Sequence, residues 1–192
     1  IGRAGVGVDN IDVDFATKQG VIVLNAPDGN TVAATEHTIA MMMSLARNVP
    51  QAFNSMREKK WERSKFVGVE VRGKTLGILG LGRIGTGVAK RAIAMEMKVL
   101  GYDPFVTEEQ AEANGIELVD LETIFKEADF ITLHLPKNAD TKYLLNKEAF
   151  SKMKKGVRII NCARGSVVDE KALLEALNEG IVSGAAIKKK KK

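Results

Sequence analysis

Gly80, Gly82 and Gly85 stand in the spacing G-x-G-x-x-G, and Asp103 closes the next apolar run about twenty residues further on. That set has a definite chemistry. A first glycine permits a tight turn, a second lets backbone N–H groups approach a pyrophosphate, and a third lets the following helix pack close to the strand. The helix N-terminus adds positive potential for the phosphates. Asp103 can accept hydrogen bonds from adenosine ribose hydroxyls, and a 2′-phosphate there would meet a carboxylate, so the pattern predicts NAD in preference to NADP. The flanks give the glycines weight: Thr75 to Leu79 precede them as an apolar strand, a helix opens at Arg83, and Lys98 to Tyr102 form the next strand.

The second candidate group is Arg164. Redox chemistry on a small 2-hydroxy acid needs a cation for the carboxylate, a donor to polarise the carbonyl, and an acid/base for the hydroxyl proton. Arg164, set before Gly165 just past an apolar run, can supply the first two through its planar guanidinium. It could equally be a surface arginine paired with Asp169 or Glu170, and position alone does not decide. His134, followed by Leu135-Pro136, falls at a strand end, where it reads as cofactor pocket or as a hydrogen-bonded, partly buried histidine. No carboxylate adjoins it, which makes it a weak general base. His37, beside Glu36 in a long helical stretch, reads as structural, so the proton-transfer part of the set looks incomplete.

These residues need a scaffold that brings strand ends together. Strands at 130–135, 157–162 and 182–187 alternate with helices at 107–114, 121–128, 147–153 and 169–178, which predicts an α/β fold with a doubly wound parallel sheet of the Rossmann type. On such sheets ligands sit beyond the carboxyl ends of the strands, which selects Asp103, His134, Pro136 and the Cys162-Ala163-Arg164-Gly165 turn. Upstream, Gly2 to Asp12 read as a glycine-rich loop that starts abruptly, as a truncated segment would. A short helix at 14–19 and an apolar strand at 21–25 follow. A long helix runs from Asn30 or Thr31 to about Asn48, with Pro50 marking its end, and its Met41, Met42 and Met43 read as core or subunit-contact residues. Residues 51–72 read as a surface helix and an exposed arm suited to a homodimer contact.

Composition narrows the classes. The net charge is +5, but Lys188 to Lys192 account for all of it, leaving residues 1–187 neutral. No basic stripe with interleaved aromatics marks a nucleic-acid surface. Cys162 is the only cysteine, which rules out an intrachain disulfide and a thiolate metal cluster. The longest apolar stretch, Thr38 to Ala46, is too short to span a bilayer, and the start is unlike a signal peptide. No membrane or nucleic-acid partner is expected, and a cytoplasmic location is.

Gly2-Arg3-Ala4-Gly5-Val6-Gly7-Val8-Asp9-Asn10, Gly73 through Gly85, and Asn161-Cys162-Ala163-Arg164-Gly165 together resemble the D-isomer-specific 2-hydroxyacid dehydrogenases over residues 1–187. The resemblance implies a nucleotide-binding domain inserted into a substrate domain, so that 1–27 would be a short remnant, the end of that domain's first half, and 28–187 the NAD-binding Rossmann domain. The five lysines at 188–192, following directly on an apolar strand, read as an artificial extension, with an uncertain chain end or an electrostatic anchor as the other readings. The resemblance also implies pyrophosphate contacts at Arg83 and Ile84, adenosine-side contacts at Asp103, His134, Leu135 and Pro136, and nicotinamide-side contacts at Val6, Cys162, Ala163 and Arg164. Arg164 would also be the catalytic arginine, and Gly5, Val6 and Gly7 would approach the substrate carboxylate. The implied reaction is NAD-linked oxidation of 3-phospho-D-glycerate to 3-phosphohydroxypyruvate. The alternatives are glyoxylate or hydroxypyruvate reduction and an NAD-sensing role like that of corepressors with this fold. Val6 and Leu135 stand where animal members often carry threonine, each a lost hydroxyl worth about 0.5–1.5 kcal/mol. Lys188 replaces an aspartate, and the glutamate and histidine that follow it in the family are not among these residues, so the chain is expected to bind NAD without turning over at the family's rate.

Overall fold

A computed structural model describes residues 1–8 and 10–188; Asp9 of the opening loop and Lys189 to Lys192 of the lysine tail lie outside the described residues. Gly2–Arg3 (β1) and Leu24–Asn25 (β2) pair in parallel as a small sheet of their own, with the helix Val13–Lys18 (α1) between them. The opening is therefore not wholly loop. Val21 to Val23 do not join the strand, because only β1 offers a pairing edge. Ala16 is the only buried residue among the described ones up to residue 30.

Thr31–Ala46 (α2) is the long helix, ending two residues earlier than its pattern predicts. Asn48 takes a left-handed conformation and Pro50 sits in the first turn of a new helix, Val49–Arg57 (α3). Proline here starts a helix instead of stopping one, since its missing N–H costs nothing in a first turn. Met42 is buried, with Met41 and Met43 packed beside it in the core.

The main sheet holds Thr75–Leu79 (β3), Lys98–Tyr102 (β4), Glu117–Leu118 (β5), Phe130–Leu133 (β6), Val157–Asn161 (β7) and Val182–Ile187 (β8). All pair in parallel, in the order β5-β4-β3-β6-β7-β8. From the third strand of the chain the order runs outward in both directions from β3, the doubly wound arrangement whose switch point lies between β3 and β6. Alternation along the strands feeds two cores. Leu76, Ile78, Phe130 and Ile160 face one, with Arg83–Ala94 (α4), Glu108–Glu112 (α5) and α2. Leu79, Ile131, Leu133 and Ile159 face the other, with Leu121–Glu127 (α6), Lys147–Ser151 (α7) and Glu170–Asn178 (α8). The two-residue β5 was too short to predict. Helix starts follow their caps: Asp120 and Asp169 accept from backbone N–H groups of α6 and α8, and Thr107 with Gln110 forms a capping box on α5.

Candidate functional site

The glycine turn lies at the switch point and is shaped by contacts within the sheet. Gly80 has φ +97°, and a Cβ there would come within 2.9 Å of the His134 carbonyl oxygen. Only glycine suits that position. Gly85 packs so closely that a Cβ would overlap the Gly80 carbonyl oxygen. At Gly82 the reverse holds, since a Cβ would meet nothing within 4 Å. The chain itself leaves that space open, beside the first N–H groups of the twelve-residue α4.

Asp103 is tied into this turn. One carboxylate oxygen accepts from Leu81 N–H and the other from Phe105 N–H, both at 2.9 Å. Each oxygen keeps a further lone pair for a ribose hydroxyl. The Thr86 hydroxyl donates to the Leu81 carbonyl at 2.9 Å. Arg83, the first residue of α4, holds its Nε 2.8 Å from an Asp28 carboxylate oxygen, and Ile84 packs part-buried against the α2–α4 core.

Across the switch point, His134 continues β6 by donating its N–H to the Leu79 carbonyl at 2.8 Å. Its Nε2 lies 3.1 Å from the Thr132 hydroxyl, and burial lowers its pKa to about 4, so the imidazole is neutral near pH 7. Leu135 is buried against Gly80, whereas Pro136 is exposed. The Thr141 hydroxyl donates to the Pro136 carbonyl at 2.7 Å and fixes the loop behind it. His37, read from sequence as structural, is exposed on α2 and holds no core position.

Arg164 lines a second region, a cleft of about 530 Å³ walled by Arg3, Gly5, Val6, Gly7, Asn30 and neighbouring backbone. The residues expected from sequence to meet a substrate are thus brought together from opposite ends of the chain. Arg3, whose Nε donates to the Gly7 carbonyl at 3.2 Å, and Asn30 are lining residues that spacing alone did not single out. Asn161 was also missed. Its side chain is buried, donates to the Arg164 carbonyl and accepts from Ala163 N–H, each at 3.0 Å, and so clasps the turn that carries Arg164. Cys162 sits half-buried in that turn, and burial pushes its thiol up, which keeps it protonated. Beyond β8, Lys188 N–H donates to the Asn161 carbonyl at 2.9 Å and extends the ladder.

Among the described residues no three His, Cys, Asp or Glu side chains gather as a metal site, and no helix is long and apolar enough to cross a membrane. The open space at Gly82, the N–H groups of α4 and the placed Asp103 carboxylate fit a dinucleotide. The sequence model of the NAD-binding domain of the D-isomer specific 2-hydroxyacid dehydrogenases matches residues 39–188. The chain belongs to this family. As a D-isomer-specific 2-hydroxyacid dehydrogenase domain it binds NAD. It is 57% identical over 187 residues to a D-3-phosphoglycerate dehydrogenase of Synechocystis sp., covering 97% of this chain and 34% of that protein. Among solved structures it resembles apo D-lactate dehydrogenase from Escherichia coli, with TM-score 0.89, 35% identity, and coverage of 97% of this chain and 59% of that one. D-lactate dehydrogenase from Aquifex aeolicus, complexed with NAD and lactic acid, gives TM-score 0.88 and 36% identity, covering 97% of this chain and 56% of that one. The chain spans about a third of the length of the curated relatives it matches.

Proposed function

We propose that this chain is the cofactor-binding part of an NAD-dependent enzyme that oxidises 3-phospho-D-glycerate to 3-phosphohydroxypyruvate, the entry to serine synthesis. Residues 1–27 then belong to the substrate domain and 28–187 to the NAD-binding domain. The observation that carries the reading is the pair of guanidinium groups, Arg3 and Arg164, lining one cleft with the Gly5-Val6-Gly7 backbone. A substrate with a phosphate and a carboxylate calls for two cations, whereas a simple 2-hydroxy monoacid calls for one.

Bound NAD supplies a hydride acceptor for C2 of the substrate. Gly80, Gly82 and Gly85 shape the phosphate-binding turn, Arg83 and the Ile84 backbone meet the pyrophosphate, and Asp103 holds the adenosine ribose. His134, Leu135 and Pro136 flank the adenosine side, while Val6, Cys162 and Ala163 border the nicotinamide side. Arg164 grips the substrate carboxylate and polarises the C2 oxygen, acting as the catalytic arginine. Arg3 takes the phosphate. The cleft's described lining contains neither a histidine nor a carboxylate, so the group that takes the hydroxyl proton is not supplied by this lining. The chain alone is therefore expected to bind NADH without turning over phosphohydroxypyruvate at the family's rate.

Exposed apolar side chains also support two associations. Phe15 on α1, Ile22 just before β2 and Leu24 on β2 suit burial against further substrate-domain structure, and Phe53, Met56 and Trp61 on α3 and the arm after it suit a homodimer. Calorimetric titration with NADH and NADPH, beside a turnover assay with phosphohydroxypyruvate, tests the reading. NADPH binding as tightly as NADH would refute the role given to Asp103, and brisk turnover would refute the incomplete acid/base set.

A further inference from the structure

The ion pair between Arg83 and Asp28 joins the two halves of the site. Arg83 opens α4 at the glycine turn, and its Nε lies 2.8 Å from Asp28 in the linker between β2 and α2. Both side chains are more than half exposed, so nothing in the core requires the contact. The linker is in turn part of the cleft wall. Ala26, Gly29 and Asn30 line the cleft, Ala26 N–H donates to the Gly5 carbonyl at 3.1 Å, and the Asn25 side chain donates to the Val6 carbonyl at 2.9 Å. A pyrophosphate that entered the open space at Gly82 and took the Arg83 Nε–H would displace the Asp28 carboxylate from its 2.8 Å contact, because two anions cannot both hold that one short contact.

We propose that Asp28 is a positioning residue, a displaceable counterion that holds Arg83 against the linker until a dinucleotide pyrophosphate replaces it, so that filling the cofactor turn frees the wall of the substrate cleft. This rests on the NAD reading of the glycine turn. The device imposes an order in which the cofactor loosens the linker before a small acid is gripped by Arg164 and the Gly5–Gly7 backbone. It also weakens cofactor affinity by the strength of the pair it breaks.

The test is calorimetric titration of NADH, and separately of adenosine, into the 192-residue chain and its Asp28→Asn, Arg83→Met and doubly substituted forms. Removing an exposed pair of this kind is expected to tighten NADH about two- to fivefold in Asp28→Asn, with adenosine unchanged and the gain shrinking at high salt. In the Arg83→Met background the same change should have no effect. Amide hydrogen exchange over residues 26–30 should rise when NADH binds the parent chain, and should already be raised in Asp28→Asn without cofactor. Unchanged or weaker NADH binding in Asp28→Asn, or an equal gain with Arg83 absent, overturns the proposal while leaving the cofactor site intact. Failure of the parent chain to bind NADH overturns both.

Discussion

The cofactor turn and the Arg164 cleft sit on the same molecule yet are held in different ways. Gly80, Gly85, Leu81 and Asp103 are fixed by contacts among β3, α4 and β4, neighbours in both sequence and space, with the carbonyl of His134 as the floor. The cleft draws one wall from residues 3–30, where Ala16 alone is buried among the described residues, and the other from the turn after β7. A local unit enclosed by a parallel sheet is held by its own neighbours. A cleft assembled from distant segments depends on whatever else packs against its exposed wall. Substitutions at the tightly packed glycines of the turn should therefore change stability and cofactor binding together, whereas substitutions in the cleft should act on substrate binding more than on cofactor binding.

The sharpest way to break that contrast is at the glycines. Gly85→Ala drives a methyl group into the Gly80 carbonyl, and because backbone must move to relieve it, a loss of about 3 kcal/mol and of NADH binding is expected. Gly82→Ala, whose methyl meets nothing in the chain, should leave the melting temperature unchanged and weaken NADH alone. Thermal unfolding with NADH titration checks both; unchanged NADH binding in Gly82→Ala would mean that the space at Gly82 is not the cofactor's.

Acid should act on the turn next. His134 has its pKa lowered to about 4 by burial, against an ordinary value of 6.5, so between those values the unfolded chain binds a proton that the folded one refuses. Its contribution is fully present above pH 6.5, falls as the pH drops toward 4, and is level below that. The shift corresponds to about 3 kcal/mol at most over this window. Denaturant unfolding from pH 7 to 4 should show that much less acid dependence in His134→Gln than in the parent chain.

The unequal legibility of the two regions in sequence has the same origin as their unequal packing. The β3–α4–β4 unit is readable because strand period, glycine spacing and a terminal carboxylate all lie within one short span, each imposed by local sterics. Val21 to Val23 looked like a strand because apolar runs signal pairing, but β2 has only the two-residue β1 to pair with. Pro50 was misread because its effect depends on whether a helix is ending or beginning around it. Asn161 stands in a motif but with no readable role, and Asp28 gives no signal, since their partners are set by the folded turn and by a linker that returns to α4. Arg3 stands within a motif of the resemblance, but only the cleft shows that its side chain shares a wall with Arg164.

Asn161 offers the first test on the cleft side. Asn161→Ala removes both hydrogen bonds that clasp the Arg164 turn and leaves the Arg164 carbonyl and Ala163 N–H without that partner, at a cost of about 1–2 kcal/mol. If the glycine turn is the main cofactor contact, as proposed, NADH affinity should fall far less than the affinity of phosphohydroxypyruvate for the NADH-bound chain. Equal losses measured by calorimetry would show that the two regions are one mechanical unit.

The smallest change discriminates most finely. Val6 is half-buried in the cleft wall with its carbonyl held by the Asn25 side chain, so the near-isosteric Val6→Thr adds a hydroxyl without altering the backbone contact. Stability should shift by less than about 0.5 kcal/mol, since no core contact is touched. NADH binding on its own should be nearly unaffected if, as proposed, the pyrophosphate and adenosine contacts lie at the glycine turn. If the cleft is the substrate's, the hydroxyl should add one hydrogen bond to a bound 2-oxo acid, worth about 0.5–1.5 kcal/mol, which is a two- to tenfold tighter ternary complex by calorimetry. A gain seen equally with NADH alone would show that the added hydroxyl acts on the nicotinamide that Val6 borders and not on the acid, and would move the boundary between the two regions into the Gly5–Gly7 loop.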